Sequence, residues 1–296
     1  MNTALAAWAL VLNALVWGLS WWPFRELQQA GLHPLWATAL IYGVTLAGLT
    51  LARPRLWGLL LRHPMLLALV LASGLTNVGF NWAVATGDVV RVVLLFYLMP
   101  AWSVLAAWAL LGERPGPGSL GRLALALAGV VIVLKTPDSP WPVPSSLPDW
   151  LALLGGLSFA LTNVLLRRLR DTPELGRMLA MFAGGGLLAL LGAVLGGIGG
   201  LVPSPPTPAV GWLALTGATS LAFLGANLAL QYGAARLPAA TTALVMLTEV
   251  VFASVSSVLM GTAMLQTRTL LGGTLILAAA LWAAWPERTA QETVAR

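Results

Sequence analysis

Two apolar stretches each carry a pair of side-chain amides. Asn77 and Asn81 stand four apart in TNVGFNWA, and Asn227 and Gln231 stand four apart in ANLALQYG. The second pair follows the first by 150 residues (77 to 227, 81 to 231), and an aromatic, Trp82 or Tyr232, follows each pair. Spacing of four places both amides of a pair on one face of a helix. An amide both donates and accepts, which suits the amino and carboxylate groups of a zwitterion. The same amides can equally hydrogen-bond a neighbouring helix as packing contacts. Glu249 is the one acid deep inside an apolar run. It has three readings: it carries a coupling proton, it holds an amino group, or it is a structural, hydrogen-bonded acid. Trp17, Trp21, Trp82, Tyr97 and Trp102 lie away from the ends of the runs, where aromatics either pack or wall a pocket for flat or apolar groups. The candidate substrate-binding set is Trp17, Trp21, Asn77, Asn81, Tyr97, Trp102, Phe159, Asn163, Asn227, Gln231, Met246 and Glu249.

The elements that must position these residues are membrane helices. Of 296 residues, 58% are hydrophobic and 9% charged, and the mean hydropathy is +0.86. Apolar runs recur along the chain, which predicts an all-α polytopic membrane protein and not a β-barrel. Ten spans are expected, at 4–24, 33–52, 65–86, 89–111, 119–135, 148–167, 177–200, 209–234, 238–260 and 268–285, separated by Pro, Gly and charged breakers. Spans 3 and 4 turn at Thr86 to Asp88, and spans 8 and 9 at Arg236 to Pro238, so each pair reads as a tight hairpin. The first run has no basic leader and no clear small-residue cleavage site, and reads as a retained helix.

With the N-terminus inside, 12 Lys and Arg fall on the cytoplasmic side and 4 outside, which accounts for all 16. The positive-inside rule then places both termini in the cytoplasm. The same rule explains the net charge of +6 without any nucleic-acid partner. Most of the 14 tryptophans sit near span ends, as an interfacial belt. There is no cysteine, which excludes disulfides and thiol chemistry.

The amide pairs belong to a wider repeat. ALLGERPGPGSLGRLALALAGV (109–130) parallels VLMGTAMLQTRTLLGGTLILAAAL (258–281), and WGLSWWPFR (17–25) is echoed by FALTNVLLR (159–167). Spans 1–5 and 6–10 read as two copies of one unit, and an odd number of spans turns the second copy upside down. The expected architecture is ten helices as two inverted five-helix repeats around a central cavity, with repeats at 1–136 and 148–286, a Pro-rich external linker at 137–147 and a cytoplasmic tail at 287–296.

This arrangement, with WGLSWW in span 1, the tight hairpins and LLGERP closing span 4, resembles the drug/metabolite transporter superfamily of the EamA-repeat type. Within it the chain is similar to bacterial aromatic amino acid exporters. The second copy has Gly261-Thr262 where the first has Gly112-Glu113, so Glu113 is not half of a symmetric pair.

The resemblance implies a secondary transporter exporting amino acids or related metabolites by alternating access, without a cofactor. Its partners are the small-molecule substrate and the lipid bilayer, with proton coupling as one role for Glu249. Export of cationic drugs or amines is the alternative, and a non-transporting receptor or assembly subunit is another. An intramembrane enzyme would need clustered His, Ser or carboxylates within the spans, which the sequence lacks. Arg91, one turn into span 4, is expected to pair with Asp88, to snorkel, or to attract a substrate carboxylate. Gly184 to Gly186 and the Gly192, Gly196, Gly200 series read as close helix packing.

Overall fold

The computed structural model describes residues 3–112, 116–134, 143–169, 171–234, 236–237, 245–246, 248–263 and 266–284. Glu113, part of the 137–147 linker, the start of span 9 and the 287–296 tail lie outside these residues. Thirteen α-helices are described: α1 Thr3–Leu19, α2 Trp21–Gln29, α3 Pro34–Ala52, α4 Trp57–Arg62, α5 Pro64–Thr86, α6 Val89–Phe96, α7 Met99–Leu111, α8 Pro117–Leu134, α9 Leu147–Arg168, α10 Glu174–Ile198, α11 Val210–Ala234, α12 Thr248–Leu259 and α13 Thr267–Ala284. Pro34, Pro64 and Pro117 each open a helix, where the missing N–H has no intrahelical partner to lose. His33 caps α3 by accepting from the Leu35 N–H at 3.2 Å.

Six helical stretches are long and apolar enough to cross a membrane: Ala4–Gln29, Pro34–Ala52, Pro64–Thr86, Leu147–Leu166, Glu174–Ile198 and Val210–Leu230. Three shorter apolar helices accompany them, Pro117–Val133, Thr248–Leu259 and Thr267–Ala279. Large apolar side chains such as Leu51, Ile198, Leu201 and Leu259 stand exposed, which suits a surface facing lipid.

The structure departs from the expected spans in three places. Span 1 is interrupted at Ser20 and span 4 at Tyr97-Leu98. Each break lies just before a proline, Pro23 or Pro100, which cannot donate to the carbonyl four residues back, Leu19 or Phe96. Between α3 and α5, the segment expected to be a simple loop forms a 3₁₀ turn, Pro54–Leu56, and the short helix α4.

The helices pack in definite pairs. α1 lies on α11 and α12, α9 on α5, α6 and α7, and α10 on α3 and α5. α11 lies on α3, α6 on α12, and α8 on α13. Glycines set the closest approaches. A Cβ at Gly129 would sit 2.6 Å from the Gly272 carbonyl oxygen, and one at Gly272 would sit 2.6 Å from the Gly129 oxygen. Gly74 of α5 meets the Gly184 carbonyl on α10, and Gly185 lies against the Tyr42 ring of α3. The triple glycine of α10 is therefore a packing surface, in keeping with its sequence reading.

Candidate functional site

The break in span 4 brings Tyr97 to face span 9. Its hydroxyl donates to Glu249 Oε2 at 3.1 Å and lies 3.4 Å from the Met246 carbonyl. Tyr97 is buried, whereas Met246 and Glu249 are half-buried. The Glu249 backbone oxygen presses on α1, 2.7 Å from where a Cβ of Gly18 would stand. Trp21 Nε1 donates to Ser256 Oγ of α12 at 2.9 Å. Phe159 of α9 meets Phe96 at 5.6 Å between ring centroids, and Phe96 in turn meets Tyr97 and Phe80. Trp102 packs on the same cluster, and its Nε1 is buried with no acceptor among the described residues. Asn163 is half-buried, one turn beyond Phe159 on α9. Tyr97, Met246, Glu249, Trp21, Phe159 and Trp102 thus gather where spans 1, 4, 6 and 9 meet.

The amides of span 3 lie elsewhere, against span 2. Asn77 Oδ1 accepts from the Tyr42 hydroxyl at 2.6 Å, and its Nδ2 donates to the Ser73 carbonyl at 2.8 Å. Asn81 is 0% exposed and donates to Thr38 Oγ1 at 3.3 Å, while its Oδ1 has no partner among the described residues. Trp17 stacks on Phe223 of α11 at 4.5 Å, and Phe223 touches Tyr42 and Phe24. Asn227 is half-buried on α11. The side chain of Gln231 lies outside the described residues.

Arg91 does not pair with Asp88. The Asp88 carboxylate caps α6 by accepting the Arg91 backbone N–H at 2.8 Å. The guanidinium reaches instead to Asp149 at the start of α9, 2.7 Å from Oδ1 and 2.9 Å from Oδ2.

Sequence reasoning passed over Asn13. It is 0% exposed on α1, donates to the Ala226 carbonyl at 2.7 Å, and leaves its Oδ1 without a partner among the described residues. The signal was present, because Asn13 stands four residues before Trp17 in an apolar run, the spacing that singled out Asn77 and Asn81. Tyr42, Thr45 and Ser220 were also passed over. Thr45 and Ser220 place their hydroxyls 3.3 Å apart between α3 and α11, and Ser220 also donates to the Ile41 carbonyl.

Residues 4–135, spanning the first five expected spans, match the EamA-like transporter family. No curated protein matches the chain. Among solved structures 14 chains match, and one crystal structure, covering 95% of this chain and 96% of its own, has a TM-score of 0.54 at 20% identity. At that identity the likeness concerns the fold alone. The apolar helices make this a multi-pass membrane protein, and its first half is similar to a family of transporters.

Proposed function

We propose that the protein is a secondary transporter that exports amino acids, with aromatic or other apolar side chains, or related small metabolites, across a bacterial-type inner membrane by alternating access. The observation that carries this reading is the half-buried Glu249 carboxylate held by the Tyr97 hydroxyl, at the interrupted part of span 4 and between aromatic side chains. A carboxylate there offers a site for an ammonium group. Trp17, Trp102 and Phe159 supply flat apolar walls, and Asn163 and Asn227 supply amides for a substrate carboxylate. Asn77 and Asn81 hold span 2 and set the Tyr42 hydroxyl.

Several observations support two inverted five-helix repeats, ten spans in all, with the site between them. Packing pairs fall into couples that exchange when the repeats are swapped: α1 on α11 beside α9 on α5, α1 on α12 beside α9 on α7, and α10 on α5 beside α11 on α3. α8 on α13 and α3 on α10 each map onto themselves. Gly112 and Gly261, matched in the repeat, end α7 and α12 with φ of +71° and +67°, a left-handed conformation that favours glycine. Alternating access then needs only that the halves rock about this site.

Counterflow in proteoliposomes of purified protein tests the reading, with labelled amino acid outside and a panel of unlabelled amino acids and cationic amines inside. The Glu249 carboxylate among aromatics also favours a second reading, export of cationic amines or drugs. Stimulation by amines that lack a carboxylate, without stimulation by amino acids, would select it.

A further inference from the structure

The proposed alternating access gives a consequence to the Arg91–Asp149 pair, which the transport site does not use. The pair sits at the ends of spans 4 and 6 assigned to the outer face. Asp149 is 2% and Arg91 18% exposed in their side chains. The guanidinium forks onto both carboxylate oxygens, and its third nitrogen, Nη1, donates to the Val133 carbonyl at the end of α8 at 2.9 Å. Asp149 Oδ2 also accepts the Ser145 N–H at 3.0 Å. One guanidinium therefore ties span 4 and span 5 of the first half to span 6 of the second. Such a bidentate, largely desolvated pair is costly to break one partner at a time.

We infer that the Arg91–Asp149 pair is a clasp that holds the outer end shut, so that the transporter opens outward only by breaking it.

The cysteine-free chain makes a direct test available. Ala152 is 0% exposed on α9 and packs in one core cluster with Val89, Val92 and Phe96 of span 4. Ala152→Cys therefore reads separation of spans 4 and 6 just beneath the clasp, and Ala183→Cys, 0% exposed on α10, reads general unfolding. An impermeant thiol reagent is applied from outside to intact cells. Asp149→Asn and Arg91→Gln are expected to raise labelling at Ala152→Cys at least about tenfold, with no rise at Ala183→Cys. The milder Arg91→Lys keeps the charge but loses the fork, and is expected to give a smaller rise. Unchanged labelling at Ala152→Cys in all three variants overturns the inference. So does a rise shared equally by both reporters in every variant, Arg91→Lys included. Labelling needs no transported substrate, so the clasp is judged separately from the counterflow result.

Discussion

Replacing Glu249 with Gln separates amine recognition from packing. Gln keeps the length of the side chain and an oxygen that can accept from the Tyr97 hydroxyl now 3.1 Å from Glu249 Oε2. What changes is the charge. A hydrogen bond to a charged group contributes about 1.5–3 kcal/mol and a neutral one about 0.5–1.5, so the Tyr97 contact weakens by roughly 1 kcal/mol and the fold should survive. A substrate ammonium loses its carboxylate partner and meets an amide instead, at a further cost of about 1–2 kcal/mol in binding. That corresponds to roughly a 5- to 30-fold rise in half-saturation for substrates bearing an amino cation, with little change for analogues that lack it. The assay is exchange in proteoliposomes over a substrate series with and without the amino group, alongside a thermal melt of the purified variant. If Glu249 instead carries a coupling proton, exchange persists and accumulation driven by a pH gradient is lost. A folded Glu249→Gln protein with unchanged half-saturation for every substrate and an unchanged response to pH would remove Glu249 from the site.

Asn77→Ala strips the acceptor from the buried Tyr42 hydroxyl and should destabilise the protein by about 1–3 kcal/mol. Tyr42→Phe in the same chain should recover part of that loss, as read by thermal melting. Gly129→Leu puts a branched side chain where a Cβ alone already lies 2.6 Å from the Gly272 carbonyl, and should destabilise by about 1–3 kcal/mol or more, read the same way. Trp17→Ala removes the ring stacked on Phe223 and should reorder the preference among substrate side chains, measured by competition in the exchange assay. A cysteine at the exposed Arg168 should label from the cytoplasmic side only, and labelling from outside intact cells would refute the inverted arrangement.

The helices were legible because apolar runs bounded by Pro and Gly leave little choice of element. α5, α9, α10 and α11 fall close to their expected limits for that reason. The breaks at Ser20 and at Tyr97-Leu98 were legible in principle. Pro23 and Pro100 announce them, but a run of apolar residues masks a proline that removes one hydrogen bond without ending the span. Tyr97, Met246 and Glu249 were each singled out, although nothing in the sequence says that residues about 150 apart share a hydrogen bond. The amides show the limit of spacing arguments. A spacing of four fixes a common helix face, yet not the neighbour that face meets, and for Asn77 and Asn81 the neighbours are Tyr42 and Thr38 of α3. Arg91 shows the same limit, since Asp88 is near in sequence while Asp149 provides the partner across the fold.

The central claim is carriage of a small amine-bearing solute by alternating access, and trans-stimulated exchange by the purified protein in liposomes tests it most directly. The account predicts saturable uptake of a labelled aromatic or apolar amino acid, stimulated by unlabelled substrate on the opposite side and strongly weakened by Glu249→Gln. Flux that rises linearly with concentration and ignores substrate on the far side would indicate a channel. No flux above protein-free liposomes for any amino acid or amine would contradict the account.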